Sequence, residues 1–279
     1  MKISIITASY NYANYIEDVI NSVISQTYSD WELIVVDDGS SDNSVAIIKS
    51  YCAKDPRIKL FQHEGEINKG LKETILFGLE KCTGDWVAFL ESDDLFKPDN
   101  LLKKVEVANK HPDVKLIFNK VKFLWDKDRP DYNKQEFENT QKTLSNMSCP
   151  RNMFYDFYIK NMILTFSCVM VEKNVLKNTD FNTPFDAALD WWLWIHLAYE
   201  NKFYYLDEEL TSWNLHPQSY ISKSKKPLFM PMQVKAYFDV FKKTKQSKIP
   251  MFIIFSTLPL ILFKARRFIL KTFTFNFGK

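Results

Sequence analysis

The sequence predicts an α/β protein built around a mainly parallel sheet, and three observations carry that expectation. From the start to about Lys122, short β-branched apolar runs alternate with longer stretches whose apolar residues recur at helical spacing, the pattern of successive βαβ units. Two of the runs, Leu33–Val36 and Val87–Leu90, are apolar throughout, as buried strands are. Each ends directly in an acidic turn, Asp37-Asp38-Gly39-Ser40 and Glu91-Ser92-Asp93-Asp94. Open α/β sheets bind ligands at the carboxyl edge, so these turns hold the first candidate functional residues.

The elements follow in order. Ile3–Thr7 reads as a strand, and Tyr15–Gln26 as a helix with Ile16, Val19, Ile20, Val23 and Ile24 on one face. Glu32–Val36 is the second strand, after which Ser41 is placed to cap a helix carrying Val45, Ile47 and Ile48. Ile58–Phe61 is the third strand, and Leu71 to Lys81 the next helix. Thr83-Gly84-Asp85 turns the chain into the strand Trp86–Leu90. Lys97-Pro98-Asp99 opens a helix, with Asp99 as its cap and Leu101, Leu102, Val105 and Ala108 at helical spacing up to His111-Pro112. Asp126–Pro150 is polar with few apolar anchors and reads as a mobile loop. Beyond it aromatics become dense, as expected of a half that packs on the sheet and lines a cleft.

Composition narrows the function. With 279 residues and 46% hydrophobic content there is ample material for a core. The net charge of +3, with cations and anions interspersed over the first two hundred residues, gives no reason to expect a nucleic-acid partner. Cys52, Cys82, Cys149 and Cys168 are too widely spaced for a disulfide framework or a zinc site and read as free thiols of a reducing compartment. Met1–Ala8 is too short in its apolar part for a secretory signal, so a cytoplasmic location is expected.

Two carboxylate groups on neighbouring strand ends suit a divalent cation with oxygen ligands, which commonly escorts a phosphate. Asp-Asp-Gly-Ser-Ser-Asp is equally a good turn and cap sequence, and Asp93-Asp94 also reads as an acidic turn before Pro98. The ordered set is more specific than either cluster. Ala8-Ser9-Tyr10-Asn11, Ser25-Gln26-Thr27-Tyr28-Ser29-Asp30-Trp31-Glu32-Leu33, Val35-Val36-Asp37-Asp38-Gly39-Ser40, Asn68-Lys69-Gly70-Leu71 and Gly84-Asp85-Trp86 through Asp94 together resemble the family 2 glycosyltransferases. The resemblance is dense over about the first 110 residues and returns near Asp190 and Tyr205–Ser219.

That resemblance implies an inverting enzyme with a single Rossmann-like A-type glycosyltransferase domain. It implies that the stretch of Ala8 and Tyr10 contacts the nucleotide base, that Asp38 accepts a hydrogen bond from a uracil-type imide, and that Asn68 and Lys72 lie near the donor. By the same likeness Asp93 contacts ribose or metal, Asp94 ligates Mg²⁺ or Mn²⁺, and His216 stands near the diphosphate and metal. Asp190, opening Asp190-Trp191-Trp192-Leu193-Trp194-Ile195-His196, matches the start of the acceptor-side helix and is the expected catalytic base. Of the three tryptophans two are expected in the core and one as a platform for a sugar ring. The chain departs from the family pattern with Glu91 where Asp is usual, Leu76 where Asn is usual, and Leu189 where Glu commonly precedes the base.

The expected organisation is a nucleotide-sugar-binding half at 1–112, an acceptor-binding half of the same domain at 113–222, and a helical tail at 223–279. The tail mixes Lys264, Arg266, Arg267 and Lys271 with apolar side chains over 249–273, which suits peripheral contact with the inner face of an anionic membrane. Its almost wholly apolar stretch Ile249–Phe263, which contains Pro250 and Pro259, falls short of the roughly 20 residues a span needs. The expected partners are a nucleotide-diphosphate sugar, best a UDP-sugar, and a glycan or lipid-linked saccharide of cell-surface polysaccharide assembly. A sugar nucleotidyltransferase would need a Gly-rich, basic loop after the first strand, which Ala8–Asn14 lacks. A non-catalytic nucleotide-sugar-binding scaffold stays open because of Glu91 and Leu189.

Overall fold

Strand β1 (Ile3–Ser9) is apolar at Ile3, Ile5 and Ile6, and β2 (Trp31–Asp37) is buried at every position, so the two pair in the middle of a sheet rather than at its edge. They run parallel from Ile3 opposite Trp31 to Ser9 opposite Asp37. Parallel neighbours β3 (Ile58–Gln62) and β4 (Trp86–Phe89) flank them. The crossovers are α1 (Ile16–Ile24), α2 (Ser44–Cys52) and α3 (Leu71–Lys81). Ile16, Val19, Ile20 and Val23 of α1 are fully buried against the sheet, whereas Ile24, at the helix end, is exposed. Helix α3 lies close on β1 because Gly78 faces it; a Cβ there would meet the Ile6 side chain at 2.9 Å. Residues 1–127, 134–183, 189–217 and 219 of the computed structural model are described, all within one unit, Met1–Pro227.

The second half adds β5 (Leu95–Phe96), α4 (Asn100–Lys110), β6 (Val114–Trp125), α5 (Lys134–Ser145), β7 (Arg151–Asn152), α6 (Phe154–Ile159), β8 (Val169–Glu172), α7 (Lys173–Lys177), α8 (Leu189–Glu200) and β9 (Lys202–Leu215). The sheet order is β3-β2-β1-β4-β8-β6-β9-β5, with β7 paired to β9. Parallel pairing holds through β1 to β4 and between β6 and β9. Strand β8 runs antiparallel to both β4 and β6. It is entered through a 3₁₀ turn at Phe166–Cys168, beside the carboxyl end of β4, so the chain can only run back along that strand. The outcome is an α/β fold whose sheet is mixed rather than parallel throughout.

Several local expectations shift. Ser41 does not cap α2; its hydroxyl bonds Asn11, while Asp42 accepts from the Ser44 amide at 3.0 Å. A carboxylate two residues before a free helix amide outcompetes a hydroxyl one turn away. Asp99 precedes α4 but accepts from the Thr27 hydroxyl at 2.8 Å instead of capping the helix. The expected loop 126–150 contains α5, which buries Phe137 and Leu144 and holds the β6 backbone through Gln141, bonded to Val121 N and O. Its apolar anchors are few but helically spaced. Residues 128–133 and the tail 223–279, on which the membrane expectation rests, lie outside the described residues.

Candidate functional site

A cleft of about 790 Å³ opens at the carboxyl ends of β1, β2 and β4 and is closed on its other side by the start of α8 and the end of β9. Ala8, Tyr10, Asp38, Asn68, Asp93 and Asp190 all line it. Residues 182 positions apart in the chain therefore share one cavity, because the second half folds back across the edge of the first.

At one end the turns after β1 and β2 are tied together. Asn11 takes a left-handed backbone (φ 59°), which Asn tolerates better than most residues, and its Oδ1 accepts from the Ser41 amide at 2.8 Å. The Asn11 amide in turn donates to Ser40 Oγ at 2.9 Å. These bonds leave Tyr10 at the mouth of the cleft, 46% exposed. The turn and ligand readings of Asp37-Asp38 divide between the two residues. Asp37 is fully buried and accepts from the Ser40 amide and hydroxyl, so it shapes the turn. Asp38 accepts from the amides of Lys69 (2.7 Å) and Gly70 (3.0 Å) and so draws the segment of Asn68 against the end of β2. Gly39, at φ +81°, permits that approach: a Cβ there would lie 2.7 Å from the Glu66 carbonyl and 2.9 Å from the Asn68 amide.

In the middle, Glu91 and Asp93 face the cleft and Asp94 does not. Asp94 is fully buried, with Oδ1 accepting from the Asn214 amide at 2.9 Å and Oδ2 lying 3.0 Å from Thr165 Oγ1. Asp94, expected as a metal ligand, here has its carboxyl set against the Asn214 amide and Thr165. The register of the turn sends the carboxylate of Asp93 outward and that of Asp94 inward, to fasten β9. Burial, then the charge of Asp93, raises Glu91 to about 7, and Asp94 is raised well above its usual range by burial, Asp93 and Glu91. His216 Nε2 lies 3.0 Å from Asp93 Oδ2, and its ring stacks on Tyr15 with centroids 4.9 Å apart. Among the described residues no lysine or arginine pairs with these carboxyls, and no group of three or more His, Cys, Asp or Glu is arranged to hold a metal by itself. Glu91 and Asp93 at the cleft, with His216 beside Asp93, are the groups that could contribute to a divalent cation whose remaining ligands come from diphosphate or water.

At the far end Asp190 sits in the first turn of α8 among Leu164, Phe166, Leu189 and Trp213. Burial raises its carboxyl to about 6, against the lowering effect of hydrogen bonds from the Trp191 amide and from Asn161 Nδ2, the latter at 2.7 Å. Trp191, Trp192 and Trp194 are 4%, 0% and 0% exposed, so none is the expected sugar platform. Helix α8 is apolar on every side because it is enclosed by α6 and by aromatic residues of the cleft floor, with Trp194 against Phe89 and Phe166. Trp213 on β9 is the tryptophan that lines the cleft. Lys72 pairs with Glu73 at 3.1 Å and is not among the lining residues.

The sequence profile of glycosyl transferase family 2 matches residues 4–179, which spans β1 to α7 and includes both acidic turns. The chain belongs to glycosyl transferase family 2. Among family members, a UDP-Glc:α-D-GlcNAc-diphosphoundecaprenol β-1,3-glucosyltransferase, WfgD of Escherichia coli, is 30% identical over 71% of this chain and 70% of its own. An uncharacterized glycosyltransferase of Nostoc is 46% identical over 38% of this chain but only 33% of its own length. The putative teichuronic acid biosynthesis glycosyltransferase TuaG of Bacillus subtilis is 42% identical over 37% of this chain and 40% of its own. The fold matches S. aureus TarS 1-349 in complex with UDP-GlcNAc at a TM-score of 0.66, covering 86% of this chain and 67% of that one at 20% identity. It also matches the mannosyltransferase PcManGT of Pyrobaculum calidifontis in complex with GDP-Man and Mn²⁺ at 0.60, covering 95% and 82% at 16% identity.

Asn161, Thr165 and Tyr15 touch site residues yet carry no motif: Asn161 and Thr165 sit in a stretch with no periodic or charge signal, and Tyr15 reads only as the start of an amphipathic helix. Trp213 could have been singled out, since it stands two residues before the end of a strand that leads into His216.

Proposed function

We propose that this protein is a metal-dependent, inverting glycosyltransferase that moves a sugar from a UDP-sugar onto a glycan or lipid-linked saccharide in cell-surface polysaccharide assembly. One observation carries the reading: a single cleft is lined by Asp38 and the Ala8–Tyr10 turn, by Asp93 with the buried His216 bonded to it, and by Asp190. Asp38 and the turn of Ala8 and Tyr10 hold the base, and Asn68 borders the donor. Asp93 and His216 would hold Mn²⁺ or Mg²⁺, which when bound offsets the negative charge of a departing diphosphate. Asp190 takes the proton of the acceptor hydroxyl. That oxygen bonds to the anomeric carbon as the bond from that carbon to the diphosphate oxygen breaks, and the configuration inverts. A base raised to about 6 is well matched to this task, being ionised at neutral pH yet more basic than an ordinary carboxylate.

Support for the donor and acceptor classes comes from the names of WfgD and TarS in complex with UDP-GlcNAc, and support for the metal from the Mn²⁺ complex of PcManGT. Among the described residues no helix is long and apolar enough to cross a membrane. Peripheral membrane contact through 249–273 is part of the proposal, in keeping with a lipid-linked acceptor. The test is nucleotide diphosphate release from a panel of UDP-, GDP- and dTDP-sugars with Mn²⁺ or Mg²⁺, comparing wild type with Asp93→Ala and Asp190→Asn. Metal-dependent release of UDP, lost in both variants, is the expected result. Donor binding without release, even with membrane lipid extract present, would favour a scaffold instead.

A further inference from the structure

We propose that Asn161 is a positioning residue for Asp190: its amide fixes one carboxylate oxygen so that the other keeps a lone pair directed to the acceptor. The proposal rests on Asp190 being the base. The geometry is specific. Asn161 Nδ2 donates to Asp190 Oδ2 at 2.7 Å, and Asn161 Oδ1 accepts from the Ile163 amide at 3.2 Å. The second bond orients the side-chain amide, because an N–H facing another N–H would be repulsive. Asn161 follows α6, and α6 is locked to α8 by the Trp191 indole, which donates to the Phe157 carbonyl. The two residues, 29 positions apart, are thus held by packing and not by local chain geometry.

A carboxylate in the first turn of a helix is drawn toward the unpaired amides of its own backbone, and Asp190 already accepts from the Trp191 amide. Left alone, it would turn both oxygens that way and spend its lone pairs on capping. Asn161 opposes that rotation. A neutral amide suits the task better than a cation, since lysine or arginine at this distance would pull the carboxyl down by one to three units, as is usual for such pairs (~1–3), and weaken the base. Among the described residues, Glu91 is a titratable group whose carboxyl interacts with the charge of Asp190 through space.

The test is a titration of Asp190 by ¹³C NMR of carboxyl-labelled aspartate in full-length protein, with the resonance assigned by its loss in Asp190→Asn. Beside it run pH profiles of UDP release from UDP-glucose and UDP-N-acetylglucosamine with Mn²⁺. Asn161→Ala is expected to raise the Asp190 midpoint by a fraction of a unit. Asn161→Asp, which keeps the acceptor for Ile163 but replaces the donor with a second carboxyl, is expected to raise the upper midpoint of the coupled pair by about one unit or more. Release should fall about tenfold at pH 6 and far less at pH 8.5, with donor KM unchanged within about twofold. An unmoved Asp190 midpoint in Asn161→Asp overturns the proposal, as does an equal loss of rate at every pH. If Asp190→Asn keeps wild-type release, the assignment of the base fails, and the NMR shifts still report whether Asn161 governs this carboxyl.

Discussion

Replacing Asp94 and Asp93 separately should give opposite phenotypes, although the two are neighbours in one acidic turn. Asp94 has no exposure and accepts from the Asn214 amide at 2.9 Å, with Thr165 Oγ1 3.0 Å from its other oxygen. Asp94→Ala leaves the Asn214 amide without its acceptor, at roughly 1–3 kcal/mol, while the single Thr165 hydroxyl proton keeps Glu91. Part is returned because repulsion from Asp93 and Glu91 is relieved. The net loss is about 2 kcal/mol, or roughly 4–8 °C in Tm for a domain of this size. Asp94→Asn keeps one acceptor for Asn214 and should lose about half as much. Asp93 is more exposed and, among the described residues, pairs with His216, so Asp93→Ala should shift Tm by no more than about 2 °C. Thermal unfolding with and without Mn²⁺ separates the roles, since an ion bound to the native state raises Tm. Wild type and Asp94→Asn should respond to Mn²⁺, and Asp93→Ala should not. Were Asp94→Ala to keep the wild-type Tm and lose the Mn²⁺ response while Asp93→Ala retained it, the inward-outward assignment would be wrong.

The remaining predictions concern pH and backbone. Because burial raises Asp190 to about 6 and the base must be ionised, kcat should be flat above pH 7 and fall about tenfold per unit below the midpoint, read from UDP release at constant metal. Glu32 behaves in the opposite sense. Burial pushes it up, but hydrogen bonds from the Thr83 amide, Lys59, Ser4 and the Thr83 hydroxyl outweigh that and hold it at about 2. Its folded value is below the unfolded one, so its contribution of about 2 kcal/mol is present above pH 4.5 and lost as pH falls toward 2. Glu32→Gln should therefore destabilise the protein in guanidinium denaturation at pH 6.5 and much less at pH 3. Gly39→Ala, forced into a positive φ and against the Glu66 carbonyl, should cost about 2 kcal/mol and raise donor KM by displacing the Asn68 segment; unchanged KM would separate that turn from the donor.

The β1 to α4 half was legible because β1, β2 and β4 are buried on both faces and their crossovers are amphipathic, so period and run length coincide with burial. The same half displays its chemistry in contiguous turns, which is why Asp38, Asn68 and Asp93 could be named. Helix α5 was missed because its buried Phe137 and Leu144 are diluted by ten polar or charged neighbours. The role of Lys72 as a donor contact finds no geometric counterpart, since a helical lysine meets whichever carboxylate is nearest, here Glu73.

Local sequence determined that a buried parallel core would end in acidic turns, because apolar runs, turn residues and glycines act over a few positions. Which carboxylate of Asp93-Asp94 faces the cleft was decided by strand β9, whose Asn214 amide claims Asp94 from 120 residues away. The same holds for Asn161 beside Asp190 and for His216 against Asp93 and Tyr15. Such pairings leave no mark along the chain, because a hydrogen bond depends on the approach of two atoms in space, and packing of α6, α8 and β9 on the sheet sets that approach.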